Sequence, residues 1–180
     1  TLALALLVGI ILIQTFRSKS KQLAIEALPA PKVSQESLTH FKEAVSYKTI
    51  SYGDTALFDS AQFLDFRSFL EKTYPTVHQK LNREIVAGYS LLYKWEGSNA
   101  LLRPIVLMAH QDVVPIEEAS ENLWTVDPFG GEVKNGSIWG RGTTDNKMNL
   151  ISILEAAEKL LNESFQPERT IYFAFGHDEE

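Results

Sequence analysis

Apolar residues recur at helical spacing at the start of the globular region. Leu38, Phe41 and Val45 lie three or four positions apart, which predicts an amphipathic helix. Ser34 or Ser37 can cap its first turn, because a serine hydroxyl accepts a hydrogen bond from a free backbone N–H at a helix start. We therefore begin the predicted globular domain at residue 34.

A second helix is predicted over residues 59–73, and a strand follows it. The helix ends at Tyr74 and Pro75, because the residue before a proline disfavours the helical conformation. Residues 83–95 alternate between apolar and polar positions, which predicts a β-strand, and residues 96–99 (EGSN) are typical of a hairpin turn. The inward positions of the helix are Phe63, Phe66, Phe69 and Leu70.

Two short apolar runs predict buried strands. Residues 103–110 (RPIVLMAH) fit a central strand buried on both faces, and residues 169–176 (RTIYFAFG) fit a second buried strand. Between them, residues 147–161 are helical, with Glu155 and Lys159 able to pair on the outer face. This order of elements predicts an α/β fold with a mixed sheet and helices on both faces.

The first 16 residues differ from the rest of the chain. Residues 2–13 (LALALLVGIILI) form a continuous apolar run, and Arg17, Lys19 and Lys21 follow it. The run is apolar on every face, which argues against a core helix, and it is short for a membrane span. We expect residues 1–16 to be an N-terminal anchor or a signal segment, uncleaved rather than cleaved, with its orientation open.

A linker and one globular domain complete the predicted organisation. Residues 17–33 form the linker, because Pro29 and Pro31 interrupt any continuous helix. Residues 34–180 form the domain. The chain begins with Thr1 rather than Met and ends on a strand followed by acidic residues, so we expect a fragment. The N-terminal segment predicts a protein that is membrane-anchored, secreted or periplasmic.

The composition narrows the classes of function. The chain has 180 residues, 44% of them hydrophobic and 22% charged, which is typical of a globular protein with a real core. The net charge of −6 and the scattered lysines and arginines argue against a nucleic-acid surface. Because the chain has no cysteine, any metal would need His, Asp and Glu ligands.

The first candidate for chemistry is the pair His110 and Asp112 at the carboxyl end of a predicted strand. Ligands of open α/β sheets gather at such ends, and side chains two positions apart in an extended chain point to the same face. A neutral imidazole can bind a metal through one nitrogen while a carboxylate accepts a hydrogen bond from the other N–H and so fixes the tautomer. The alternative is a hydrogen-bonded pair that merely ends the strand.

The second candidate is Asp145, in the stretch WGRGTTDNK. Gly140 and Gly142 permit a tight turn with positive φ, and the predicted helix begins just after Asp145. The alternative is an ordinary helix cap, Asp145 or Asn146, after a glycine turn. The spacing matches neither a Walker loop nor a dinucleotide-binding fingerprint, so we do not predict a phosphate site.

The third candidate is the pair Glu179 and Glu180, which follows the second predicted buried strand. Alone, the pair would indicate a solvated acidic turn. Convergence with His110, Asp112 and Asp145 would instead place four carboxylates and one imidazole in one cleft, where they repel one another. One or two divalent cations would resolve that repulsion, and N and O ligands favour zinc, with cobalt or manganese as alternatives.

These stretches together resemble a known family. VLMAHQDVVP, WTVDPFGGEVKNGSIWGRGTTDNK and FAFGHDEE, in this order, are similar to motifs of the M20 metallopeptidases. The similarity is greatest to the branch that contains carboxypeptidase S and N-fatty-acyl-amino-acid synthase/hydrolase, and it covers about residues 35–180. The resemblance implies a catalytic domain of the zinc-peptidase type.

The resemblance also implies roles for the five residues. His110 would ligate one zinc, Asp145 would bridge two zinc ions and Glu180 would ligate the second. Asp112 would orient His110, and Glu179 would act as the general base. It further implies a cis peptide bond after Asp145, although Asn146 and Met148 depart from residues that many members carry there.

The family implies a substrate and a larger protein. The expected reaction is hydrolysis of an amide bond in a peptide or an N-acyl amino acid, and the exact substrate stays open. The remaining metal ligands, and a lid or dimerisation domain through which a homodimer would form, are expected beyond residue 180. Two alternatives remain: an inactive scaffold or binding protein of the same fold tethered to a membrane, and a structural domain with a closed four-ligand metal site.

Overall fold

The computed structural model describes residues 2–23, 25–27, 29 and 32–180. The chain divides into two compact units, one up to Lys32 and one from Val33 to Glu180. Parts of the predicted N-terminal segment and of the predicted linker lie outside the described residues, namely Thr1, Ala24, Leu28, Ala30 and Pro31.

Six helices and six strands are described, apart from a short 3-10 turn at Thr55–Leu57. The helices are α1 (Leu2–Arg17), α2 (Gln35–Ser46), α3 (Ser60–Thr73), α4 (Pro75–Lys80), α5 (Glu118–Glu121) and α6 (Lys147–Asn162). The strands are β1 (Asn82–Val86), β2 (Ser90–Trp95), β3 (Ile105–His110), β4 (Glu132–Lys134), β5 (Ser137–Trp139) and β6 (Ile171–Gly176).

The first unit contains α1, whose 16 residues carry no buried side chain. Among the described helices, none is both long and apolar enough to cross a membrane. The assignment of residues 1–16 as an anchor or signal segment stays a prediction from the sequence.

Helices α2 and α3 agree with the sequence pattern. The Ser34 hydroxyl caps α2 by accepting a hydrogen bond from the backbone N–H of Ser37 at 2.9 Å. All four predicted inward positions of α3 are buried. The helix ends at the predicted place, but Pro75 then begins the separate short helix α4, because proline fits the first position of a helix.

The strand predicted over residues 83–95 is a hairpin of two strands. β1 and β2 are antiparallel neighbours, and Ala87 and Gly88 form the turn with φ values of 50° and 86°. The prediction was wrong because apolar alternation continues across the turn, so nothing in the periodicity separates the two strands. Residues 96–99 follow β2, but the hairpin turn predicted there was wrong, because β2 and the next strand, β3, are not neighbours in the sheet.

The main sheet is mixed, as predicted, with the strand order β1-β2-β6-β3. β6 pairs antiparallel with β2 and parallel with β3, and its register places Gly176 opposite His110. β3 is therefore an edge strand in the described part of the chain, not the central strand predicted. Four of its six residues are exposed, with Met108 the most exposed at 74%.

The core lies between one face of this sheet and the helices. Side chains of α2, α3, α4 and α6 share one buried cluster with alternate residues of β2 and β6. Helices were predicted on both faces of the sheet, and in the described residues one layer of helices covers one face. A separate two-stranded sheet joins β4 and β5 through Asn135 and Gly136, both at positive φ, a turn that the Asn-Gly pair favours.

Helix α6 crosses the core and links it to α2. Leu150, Leu154 and Ala157 are buried, as the apolar face predicts. Glu155 does not pair with Lys159 as expected, because three donors on other elements hold its carboxylate. They are the Ser37 hydroxyl at 2.6 Å, His40 Nδ1 at 2.6 Å and the Tyr74 hydroxyl at 2.9 Å.

Candidate metal and catalytic site

The predicted site residues lie at the carboxyl ends of β3 and β6 and at the start of α6. His110 is the last residue of β3, and the parallel register with β6 brings the acidic turn after Gly176 beside it. Asp145 reaches the same place because the preceding loop turns sharply. Gly142 has a φ of 83°, and a side chain there would come within 2.7 Å of Val113.

One cluster contains four of the five predicted residues: His110, Asp145, Glu179 and Glu180. The Nε2 atom of His110 lies 3.0 Å from Asp145 Oδ1 and 3.7 Å from Glu179 Oε2. His110, Glu179 and Glu180 each offer a ligand atom, and these three atoms lie within 4.8 Å of one another. His110 is buried, whereas the side chains of Asp145 and Glu179 are 76% and 64% exposed, so the cluster is open on one side.

The triad of His110, Glu179 and Glu180 is not the set of metal ligands that was predicted. The sequence prediction assigned His110, Asp145 and Glu180 to metal and reserved Glu179 for proton transfer. Here Glu179 is in the triad, and Asp145 meets the site through His110 Nε2. The peptide bond between Asp145 and Asn146 is cis, as the resemblance implies. Asn146 is the N-cap of α6 without a capping hydrogen bond from its side chain, which disfavours a plain helix-cap explanation.

The hydrogen bonds of His110 determine its tautomer. Its Nδ1 lies 3.0 Å from the main-chain oxygen of Asp112, which can only accept, so Nδ1 carries a proton. In the neutral ring Nε2 then has a lone pair, and this lone pair faces the carboxylate of Asp145. Two acceptors 3.0 Å apart repel each other unless a proton or a cation lies between them.

Asp112 contacts the acidic turn as well as His110, the residue that it was predicted to orient. Its side chain is fully buried, and its Oδ1 lies 3.4 Å from His110 Nδ1 without making a hydrogen bond. Its Oδ2 accepts hydrogen bonds from the Ser51 hydroxyl at 2.8 Å and from the Glu180 N–H at 3.0 Å. Asp112 therefore supports His110 through its main chain and holds the acidic turn through its carboxylate.

The charges of the cluster shift two pKa values upward. Burial alone would lower the pKa of His110, but hydrogen bonds to Asp145 and Asp112 and the nearby carboxylate charges outweigh it and raise the pKa. The pKa of Glu180 is raised by burial and by the charges of Asp145, Asp112 and Glu179, against the opposing effect of His110. Without a cation, the cluster therefore keeps protons that the isolated groups would lose.

These observations fit a divalent metal ion. The donor set is one imidazole nitrogen and several carboxylate oxygens, which suits zinc, cobalt and manganese. In the neutral ring, the Nε2 lone pair faces a carboxylate, and a cation between the two atoms would remove their repulsion. The residues at the ends of β3 and β6 therefore carry a donor set that fits a divalent metal ion.

Beside the acidic turn, His177 is enclosed rather than free. Its Nδ1 lies 2.6 Å from the Ser90 hydroxyl, and its ring packs against Phe58, Phe63 and Tyr89. Asp178, by contrast, has an 82% exposed side chain. The histidine fixes the start of the turn, while Asp178 contributes no contact to the cluster around His110.

Two residues near the site were missed by sequence reasoning. Ser51 was not singled out, and Lys147 was treated only as the start of a helix. Lys147 is fully buried, and its Nζ donates hydrogen bonds to the main-chain oxygens of Ala44 and Tyr47. Burial lowers its pKa to about 7, against the opposing charge of Asp112. No local sequence signal marks either contact, since both partners are distant in the chain.

Comparisons with known proteins identify relatives of this chain. A family model described as Peptidase family M20/M25/M40 matches residues 106–180. Probable carboxypeptidase S-like 2 of Dictyostelium discoideum is 43% identical over 97% of this chain and 36% of its own length. N-fatty-acyl-amino acid synthase/hydrolase of Bos taurus is 38% identical over 98% of this chain and 36% of its own length. The chain thus spans about a third of these relatives.

Solved structures agree in fold. A metallo-carboxypeptidase of the M20 family from Sulfolobus solfataricus, Sso-CP2, has a TM-score of 0.61 and 22% identity, covering 81% of this chain and 31% of its own. Human carnosine dipeptidase 1 has a TM-score of 0.59 and 19% identity, covering 80% of this chain and 32% of its own. At these identities the likeness concerns the fold alone.

Proposed function

Because the chain belongs to peptidase family M20/M25/M40, we propose that the full-length protein hydrolyses amide bonds with the help of bound zinc. The observation that carries the proposal is the contact of 3.0 Å between His110 Nε2 and Asp145 Oδ1, with Glu179 and Glu180 beside it. One buried imidazole beside three carboxylates at a strand end is a donor set that suits a divalent cation.

The proposed metal ligands are His110, Asp145 and Glu180. His110 offers the unprotonated Nε2, and Asp112 keeps the ring in that tautomer through the hydrogen bond to its main-chain oxygen. Asp145 is suited to a bridging role because its carboxylate is exposed on the open side of the cluster. When bound, zinc would polarise the scissile carbonyl and lower the pKa of the attacking water towards about 7.

Glu179 is the proposed general base. Its carboxylate lies beside the imidazole, 3.7 Å from Nε2, and is largely open to solvent. A carboxylate so placed can take a proton from the attacking water and return it to the leaving nitrogen. Glu180 is less suited to this task, because the hydrogen bond from its main-chain N–H to Asp112 Oδ2 holds it in place in the acidic turn.

The proposed substrates are peptides or N-acyl amino acids. The names of the relatives include carboxypeptidases and an N-fatty-acyl-amino acid hydrolase, and both names refer to amides of amino acids. Homodimerisation, and secretion through residues 1–16, remain predictions from the sequence. The size of the full-length protein in solution and the location of a tagged form would test them.

The test uses the full-length protein with a panel of dipeptides and N-acyl amino acids. We expect hydrolysis of at least one class, loss of activity with a chelator and recovery with zinc. Glu179→Gln should lower kcat by about 10²–10⁴-fold while zinc stays bound, because the amide cannot accept a proton. Exposed Glu84 on β1 provides the matched control, Glu84→Gln. Full activity of zinc-loaded Glu179→Gln would contradict the assignment.

A further inference from the structure

Residues 49–51 run alongside the metal-site end of β3. Ile50 forms a parallel β-bridge with Val113, the Ser51 N–H donates to the Val113 oxygen at 3.0 Å, and the Val113 N–H donates to the Thr49 oxygen at 2.9 Å. The Thr49 hydroxyl donates to the main-chain oxygen of Gln111 at 2.6 Å. These three hydrogen bonds hold the backbone of Ser51 at a defined position beside Asp112.

The Ser51 side chain uses this position to reach the buried carboxylate of Asp112. Its hydroxyl donates to Oδ2 at 2.8 Å, and the same oxygen accepts the Glu180 N–H at 3.0 Å. Asp112 is fully buried, so its charge depends on such donors for stabilisation. Ser51 and the backbone of a proposed metal ligand are therefore joined through one oxygen atom.

We propose that Ser51 is a positioning residue of the metal centre, acting through Asp112 on both His110 and Glu180. The inference rests on the proposed function, since it concerns the ligands of the proposed metal. Asp112 can keep its orientation only while donors fix Oδ2. Without the serine hydroxyl, Oδ2 retains a single backbone donor, and the carboxylate is free to turn.

Rotation of that carboxylate would affect both sides of the site. The Glu180 N–H would lose the acceptor that fixes the acidic turn. On the other side, His110 Nδ1 lies 3.4 Å from Asp112 Oδ1 and is bonded to the main chain of the same residue. A displaced Asp112 would therefore disturb the ring that presents Nε2. The expected result is a weaker metal site in a folded protein.

The experiment compares zinc affinity in four forms of the full-length protein: wild type, Ser51→Ala, Ser51→Thr and Ser68→Ala. Zinc affinity is measured by competition with a chromophoric chelator at a temperature where circular dichroism shows every form folded. Ser51→Ala should bind zinc about 10–100-fold more weakly, which is the usual effect of removing a hydrogen-bonding partner of a metal ligand. Ser51→Thr keeps the hydroxyl and should restore the affinity.

Ser68→Ala is the matched control, because its exposed hydroxyl donates only to the Leu64 main-chain oxygen within α3. If Ser51→Ala binds zinc as tightly as the wild type does, the inference is overturned, even if its melting temperature falls. If the wild type itself binds no zinc, the proposed function fails and the inference fails with it. The two failures are therefore distinguishable.

If Ser51→Ala fails to fold, Ser51→Val is compared with Ser51→Thr. Valine has the size of threonine but no hydroxyl, so the valine form should bind zinc about 10–100-fold more weakly than the threonine form. Equal zinc affinity in the valine and threonine forms would overturn the inference.

Discussion

His110 Nε2 and Asp145 Oδ1 lie 3.0 Å apart, and neither atom carries a proton when the imidazole is neutral. The His110 Nδ1–H is committed to the main-chain oxygen of Asp112, so the ring cannot switch tautomer without breaking that bond. The contact is favourable only with a proton or a cation between the two atoms. This relationship makes the site sensitive to metal and to pH.

Asp145→Asn should affect the metal-free and the metal-bound protein in opposite ways. The new amide can donate to Nε2, so the metal-free protein should melt at the same or a higher temperature above pH 7. Zinc affinity should fall by at least about tenfold, because a neutral amide replaces a charged ligand. Calorimetric melting and chelator competition measure the two effects, and unchanged zinc affinity would remove Asp145 from the ligand set.

Zinc binding should weaken as the pH is lowered, beginning at a higher pH than ordinary histidine and glutamate pKa values imply. The pKa values of His110 and Glu180 are both raised, so both groups hold protons that a metal must displace. Below those pKa values the affinity should fall by up to about tenfold per pH unit for each displaced proton. Chelator competition across pH, with proton release measured in two buffers, checks this. A flat profile down to about pH 5 would contradict it.

Lys147 should make the protein more stable as the pH rises from about 7 to about 9. Its folded pKa of about 7 lies below the ordinary value of 10.5, because burial disfavours the charged amine. Between these values the unfolded chain binds a proton that the folded chain does not, so the free energy of unfolding rises with pH. The slope is at most about 1.4 kcal/mol per pH unit.

Chemical unfolding of wild type and Lys147→Met over this pH range isolates the effect. The methionine variant should lack the additional slope while losing the hydrogen bonds to Ala44 and Tyr47. Parallel pH profiles for the two proteins would show that the lysine does not titrate in this range.

Glu155→Ala should destabilise the fold rather than the site. Its carboxylate joins α6 to Ser37, His40 and Tyr74, and these hydrogen bonds lower its pKa against the effect of burial. Loss of the carboxylate should lower the free energy of unfolding by about 1.5–3 kcal/mol, with zinc affinity unchanged. Glu84→Ala, at an exposed position of β1, serves as the control. Equal stability of the two variants would contradict the prediction.

The helical framework was predictable because its apolar periodicity is local. Helix α6 and the inward face of α3 lie where the pattern indicates, and the site residues lie together at strand ends as expected for an α/β sheet. The hairpin turn at Ala87 and Gly88 was missed because alternation hides a turn between two similar strands. The edge position of β3 was missed because an apolar run indicates a strand without indicating its neighbours.

The hydrogen bonds of individual polar atoms could not be predicted from the sequence, for a different reason. Ser51, Lys147 and Glu155 each bind a partner more than 60 residues away, and no spacing rule links such positions. Sequence reasoning found the residue types that suit a metal. It did not find which oxygen of Asp112 is held, or by which donors.

The two hydrogen bonds at Asp112 Oδ2 join positions that are 61 and 68 residues apart in the chain. Each closes a long loop, and the entropy of closing such loops must be overcome before either bond can form. No local segment can therefore assemble this junction early in folding. The cluster around His110 can form only after β3 and β6 have paired, so the proposed zinc site depends on long-range strand pairing rather than on any local segment.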